Sequence, residues 1–218
     1  MKHPGAYSGG MKLVLFGATG AAGRDLVAMA LQAGHEVTAV ARNPAAVELK
    51  HERLRVVKGD VTSADSVSDA IAGCEGVISA IGPRPGTPPG TLISDATRFI
   101  LAGLARHGGR RFVLTSGLMA GGKGLGVFQR IGVAFFRAMN RALYEDKLVA
   151  EKLVMASDLD WSIVRPPLFG VAPARGTYRI AEDLDASFTK MSSADVAKSL
   201  LDVLADAKWR KKAVEISV

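Results

Sequence analysis

One cysteine, Cys74, is all that 218 residues contain. No disulfide can form within the chain, which points to a reducing compartment, and Cys74 reads as a small buried filler. Aromatic residues make up only 6% of the chain and form no repeat interleaved with basic ones, although four basic residues cluster in KWRKK (208–212). No helix-turn-helix spacing is visible either, so nucleic acid is not an expected partner. No apolar run reaches the roughly 18 residues that span a bilayer, so no integral membrane segment is expected. The opening MKHPGAYSGG lacks the apolar centre of a secretory signal; residues 1–10 read as a flexible extension of a cytoplasmic protein. The four histidines are scattered. Nothing in their placement, or in that of the carboxylates, has metal-ligand spacing, so no metal is expected. Acidic residues are outnumbered 21 to 28 by basic ones, a net charge of +7 that suits an anionic ligand or serves solubility.

What is present is a regular alternation of short β-branched runs with longer helical patterns. That rhythm predicts an α/β fold, a Rossmann-like doubly wound parallel sheet with helices on both faces. Strands are expected at 12–16, 36–41, 54–60, 76–82, 111–116 and 160–167, with a short one near Tyr178 and a last one in AVEISV. Helices are expected after Ala21 up to a terminating Gly34, from Ser63 to Ile71, and from Thr91 to about His107. One or two more are expected across VFQRIGVAFFRAMNRALYEDKLVAEKLVMAS, and another after Ser192 or Ser193. Residues 11–218 form one domain in this reading. A small C-terminal subdomain and substrate-side elements are expected at about 117–143 and 167–192.

The densest signal lies between the first strand and the first helix. In GATGAAG, Gly17, Gly20 and Gly23 flank Thr19, Ala21 and Ala22. Glycines at this spacing allow positive φ and remove the Cβ atoms that would keep a diphosphate away. The helix that follows aims free N–H groups and its positive dipole end at the same place. The second strand ends in AVARNP. A carboxylate there would bond a ribose 2′-hydroxyl; Arg42, beside Asn43 and with Arg24 nearby in sequence, is instead suited to a 2′-phosphate. NADP(H) is therefore expected in preference to NAD(H).

These segments resemble the atypical short-chain dehydrogenase/reductases, in the NAD(P)H-binding group with NmrA-like and flavin-reductase-like (biliverdin reductase B-like) members. GATGAAG, AVARNP, GDVTSADSV, VISAIG, LTSG, SDLDWSIVRPP and MSSADVAKSLLDVL carry the likeness in order. The resemblance implies Asp60 and Val61 at the adenine, and Ala80, Ile81 and Gly82 under the riboses. It implies Thr115 and Ser116 beside the nicotinamide, and Pro166, Pro167 and Leu168 along its carboxamide. Many relatives use Tyr-x-x-x-Lys, the lysine lowering the tyrosine pKa for proton transfer. Here Lys147 is preceded at four residues by Leu143 and at three by Tyr144. Tyr144 is thus an off-register proton donor, Lys147 a ribose contact or an exposed partner of Glu151, and Ser116 a hydrogen-bonding residue.

The resemblance implies an NADPH-dependent reductase whose conjugated acceptor, a flavin, quinone or similar molecule, takes its proton from water. A non-catalytic NADP(H) sensor of NmrA type is the alternative. Arg84, Met119, Phe128, Phe169 and Arg175 are expected to wall the acceptor pocket. In 127–143, Phe128, Ile131, Phe135, Met139 and Leu143 form one apolar stripe, with Arg130, Arg137 and Arg141 on other faces. Such a basic amphipathic helix can lie on a membrane surface, but packing on the chain's own sheet, in a homodimer or against another protein is the first expectation.

Overall fold

The computed structural model describes residues 10–83, 90–117, 126–184 and 190–218. Parallel strands form its centre. β1 (Lys12–Phe16), β2 (Glu36–Ala41), β3 (Leu54–Lys58), β4 (Gly76–Ser79), β5 (Arg111–Thr115), β6 (Asp160–Arg165), β8 (Arg179–Ala181) and β10 (Lys212–Ser217) make one sheet, in the order β3-β2-β1-β4-β5-β6-β10-β8. All neighbours pair in parallel except β8, which runs antiparallel to β10. β7 (Phe169–Gly170) and β9 (Met191–Ser192) form a separate two-stranded ladder. Strands three, four, five and six are each one to three residues shorter than the sequence reading gave them, because the chain peels from the ladder where the site begins.

Near-continuous apolar strands are what a sheet covered on both faces requires. Leu13 and Leu15 of β1 point to one core, shared with α1 (Ala21–Gln32) and α6 (Ser193–Ala205). Val14 and Phe16 point to the other, shared with α2 (Ala64–Ile71), α3 (Leu92–His107) and α5 (Arg141–Met155). The Ser193 hydroxyl donates to Asp25 at 2.9 Å, which ties α6 to α1 across 168 residues. Cys74 is buried, and burial pushes its thiol up to about 11. It is the inert filler that was expected.

Local signals agree with the helix ends. α1 stops at Gly34, whose φ of +91° is the left-handed turn only glycine adopts without strain. Ser63 and Ser192 each accept from the backbone N–H three residues on, capping α2 and α6. The long amphipathic stretch is two helices, α4 (Val127–Met139) and α5, broken at Asn140.

The apolar stripe does not pack on the chain's own sheet. Ile131, Phe135 and Met139 point outward, and Val133 is the buried α4 residue among its described side chains. Leu143 alone of the stripe's described members packs on the core, from α5. Phe128's side chain lies outside the described set.

Candidate functional site

Register decides where the site lies. Phe16 is paired with Val40 and with Ser79, Ser79 with Leu114, and Thr115 with Val164. The C-terminal ends of β1, β2, β4, β5 and β6 therefore share one edge. Strand order reverses there, between β1 and β4, the point at which open α/β sheets receive ligands.

The glycine loop is built around close approaches. Gly17, at φ +85°, lies so near the chain after β4 that a Cβ would stand 2.4 Å from the Ala80 carbonyl oxygen. A Cβ on Gly23 would stand 2.0 Å from the Gly17 oxygen, so α1 is seated directly on the loop. Gly20 donates its N–H to the Gly17 oxygen at 2.9 Å and is the N-cap of α1. No side chain caps that helix, and its first turn carries no acid. An uncapped, acid-free N-terminus behind a glycine cradle fits a dinucleotide diphosphate.

At the β2 end, Arg42 is exposed and close enough to Asp60 to help hold that carboxyl below its usual range. The larger cause is Thr62, whose N–H and hydroxyl both donate to Asp60 Oδ1, at 2.9 and 2.8 Å. Asp60 thus shapes the turn after β3, whatever it meets beyond it. Asn43 is used similarly: its Oδ1 accepts from the Ala45 N–H and caps a short 3-10 turn at Pro44–Ala46. Arg24 and Ala18 line a small hollow of about 130 Å³ with Ala46, Val47, Glu48 and Leu49.

At the β5 end, Thr115 and Ser116 are 6% and 3% exposed. Neither hydroxyl has a hydrogen-bond partner among the described residues. Buried hydroxyls are nearly always satisfied, so this orphaned pair at the edge where ligands bind indicates a partner supplied from outside. Beside them Lys147 donates from Nζ to the Ser116 carbonyl oxygen at 2.7 Å. Burial pulls the Lys147 ammonium down to about 8, against the opposing pull of Glu151 and Asp146. Lys147 is therefore not an exposed partner of Glu151. Glu151 is buried and bonds Arg165 through both oxygens, at 3.0 Å (Nε) and 2.7 Å (Nη2).

Tyr144 and Lys147 are committed to different places. The Tyr144 ring lies 4.9 Å from the Arg137 guanidinium of α4. Tyr178 has its hydroxyl on the Asp202 carboxylate, and burial, then Asp202, raise its pKa.

Two residues unmarked in the sequence hold this arrangement. Asp146 of α5 accepts from the N–H groups of Ile93 (2.8 Å) and Ser94 (2.9 Å). It caps α3 from another element while its neighbour Lys147 enters the site. Asp195 accepts from the Ser192 hydroxyl and from the N–H groups of Arg175 and Gly176. Burial raises its pKa, but those donors outweigh burial and hold the carboxyl below its usual range. Asp195 carries the local Ser-x-x-Asp spacing of a helix start with Ser192, but its hold on residues 175–176, like the Asp146 cap, has no local signal because those partners are distant in sequence.

Among the other expected site residues, Thr19, Val61, Ile81 and Gly82 sit in the loops at this edge, and Ala21 and Ala22 open α1. Pro166 and Pro167 are buried after β6, whereas Leu168 is 59% exposed. Phe169 packs partly against the α1–α6 core, and the Arg175 side chain is exposed. Arg84 and Met119 lie outside the described residues, as do residues 1–9.

This geometry defines a dinucleotide-binding Rossmann protein of the atypical short-chain dehydrogenase/reductase and epimerase-like class. A family profile described as NAD(P)H-binding matches residues 17–207, and the chain belongs to that family. An uncharacterized sugar epimerase of Bacillus subtilis is 28% identical over 217 residues, 95% of this chain and 94% of the relative. A short-chain dehydrogenase/reductase from Veillonella parvula, solved in complex with NADP, shares the fold with a TM-score of 0.78. It is 19% identical and is matched over 95% of this chain and 94% of its own. An anaerobillin reductase from Escherichia coli O157:H7 has a TM-score of 0.76 at 23% identity, over 94% of this chain and 96% of its own.

Proposed function

We propose that the protein is an NADPH-dependent reductase that passes hydride to a conjugated small-molecule acceptor such as a flavin or quinone. The observation that carries this reading is the β5 end. Two orphaned hydroxyls and a lysine stand there, while both described tyrosines are engaged elsewhere. NADPH supplies the hydride when bound. The α1 N-terminus and Gly17–Gly23 hold its diphosphate, and Arg42 with Arg24 answers the charge of the 2′-phosphate. Thr115 and Ser116 offer hydrogen bonds to the nicotinamide end, and Lys147 donates to ribose hydroxyls. Asp60, Val61, Ala80, Ile81, Gly82, Pro166, Pro167 and Leu168 complete the cofactor walls, and Phe169 and Arg175 border the acceptor side.

With Tyr144 turned to Arg137, no tyrosine acid is assigned a role, and the acceptor draws its proton from solvent. Conjugated acceptors tolerate this because the charge left by hydride is delocalised. The neighbour described as an anaerobillin reductase is compatible with such chemistry.

The test is consumption of NADPH by the purified protein against a panel of flavins, quinones and linear tetrapyrroles, with Gly20→Asp as control. Gly20 has φ −74° and ψ 174°, a backbone that aspartate adopts readily as an N-cap. A Cβ there stands 3.2 Å from the Gly17 oxygen, so the loop has to give by a few tenths of an ångström; circular dichroism checks that the variant folds while it places a carboxylate where phosphate belongs. Turnover lost in that variant supports the reductase. Binding of NADPH and NADP⁺ alike without turnover favours the sensor reading, for which the displaced Tyr144 is the specific observation. A clear preference for NADH removes the role given to Arg42.

A further inference from the structure

We infer that α4 docks the protein on an anionic lipid surface. Its residues Val127, Ile131, Phe135 and Met139 recur at every fourth position and are 71%, 62%, 67% and 69% exposed. They form one i,i+4 ridge that winds slowly round the helix over about 18 Å of its length. Gly132, Ala134 and Ala138 beside the ridge are exposed as well, so it stands clear of the body. The body holds α4 through Val133, which packs with Leu184 and Ala181. An amphipathic helix ordinarily buries its apolar side; this one turns it to the outside.

Charge selects the occupant. The ionisable residues of α4 are Arg130 and Arg137, with no acid anywhere in the helix. Arg137 stacks on Tyr144, and Arg130 is exposed next to the ridge. A second copy of the chain would bring α4 against α4, with arginines of like sign and no carboxylate on either helix, in a molecule already at +7. The four side chains expose roughly 500 Å², short of the roughly 800 Å² per partner that a stable protein complex buries. A convex apolar ridge with an arginine alongside is instead suited to a deformable surface, its side chains entering the acyl boundary while Arg130 meets lipid phosphate. Among the described residues no helix is long and apolar enough to cross a membrane, so the contact lies on the surface. This inference does not rest on the reductase reading.

The experiment is flotation of the full chain with vesicles of phosphatidylcholine, with and without phosphatidylglycerol, at low and high salt. The expected result is binding about tenfold greater on the anionic vesicles and weakened by salt. The double variant Ile131→Glu/Phe135→Glu should lose about tenfold of it, and Arg130→Glu should lose the preference for anionic lipid. Circular dichroism and NADPH binding, both expected unchanged, separate lost docking from lost folding. Arg130→Glu keeps the test open if the double variant does not fold. Absence of binding to anionic vesicles, or binding indifferent to all three substitutions, overturns the inference. A dimer in light scattering that Ile131→Glu/Phe135→Glu dissolves, without vesicle binding, overturns it in favour of a second copy.

Discussion

Lys147 links pH to the site through one proton. Its ammonium titrates near 8 because burial disfavours the charge. A base whose folded pKa lies below the ordinary 10.5 gives up its proton early, so the cationic donor is lost as pH rises through about 8. Under the proposed role, kcat/KM for NADPH should fall across that range. Lys147→Arg, which stays charged, should flatten the fall; a pH–rate profile of both proteins decides. His35 works in the opposite direction. Its Nδ1 accepts the Met11 N–H at 3.0 Å, and burial lowers its pKa while Glu75 opposes. Folding thus favours the neutral ring, and stability present above the unfolded value of about 6.5 is lost as pH falls through the folded one. Urea midpoints between neutral and mildly acidic pH should drop in the native protein. His35→Asn, which retains an acceptor without titrating in this range, should drop less.

Elements are joined by contacts that span the chain, and the Asp146 cap shows how much rests on one of them. Asp146→Ala strips the acceptor from the Ile93 and Ser94 N–H groups and should cost about 1–2 kcal/mol in denaturant unfolding. Asp146→Asn should cost less, because an amide oxygen still accepts. That cap also marks the limit of what the chain reveals before folding. The β1–glycine–α1 unit is legible because its chemistry is local: apolar run, glycines at set spacing, helix, Gly34. The site edge is legible for a similar reason, since parallel strands end together. The α3–α5 cap, the Asp195 hook under residues 175–176 and the β7–β9 ladder join residues 19 to 53 positions apart, and no spacing rule reaches them. The direction of the α4 stripe is not legible, because periodicity reports that a helix has an apolar side, not which way that side turns. Val133, off the stripe, is what the body holds.

For the whole molecule, the site lies between two cores, and a ligand that bridges several strand ends stabilises both together. NADPH at a hundred times its dissociation constant should add about 2.7 kcal/mol, which for a domain of this size raises the melting temperature by roughly 5–10 °C. NADH at the same concentration should add less, and differential scanning fluorimetry reads the gap. The order of the sheet has its own consequence. β10 is last along the chain yet sits between β6 and β8. Clipping the backbone after Arg210 would therefore pull out an inner stave, baring the flank of β6 and leaving β8 with nothing to lean on. Intactness of β10 is thus a condition for the far flank of the open sheet, and a protease that nicks the turn at 207–210 would unlock that flank.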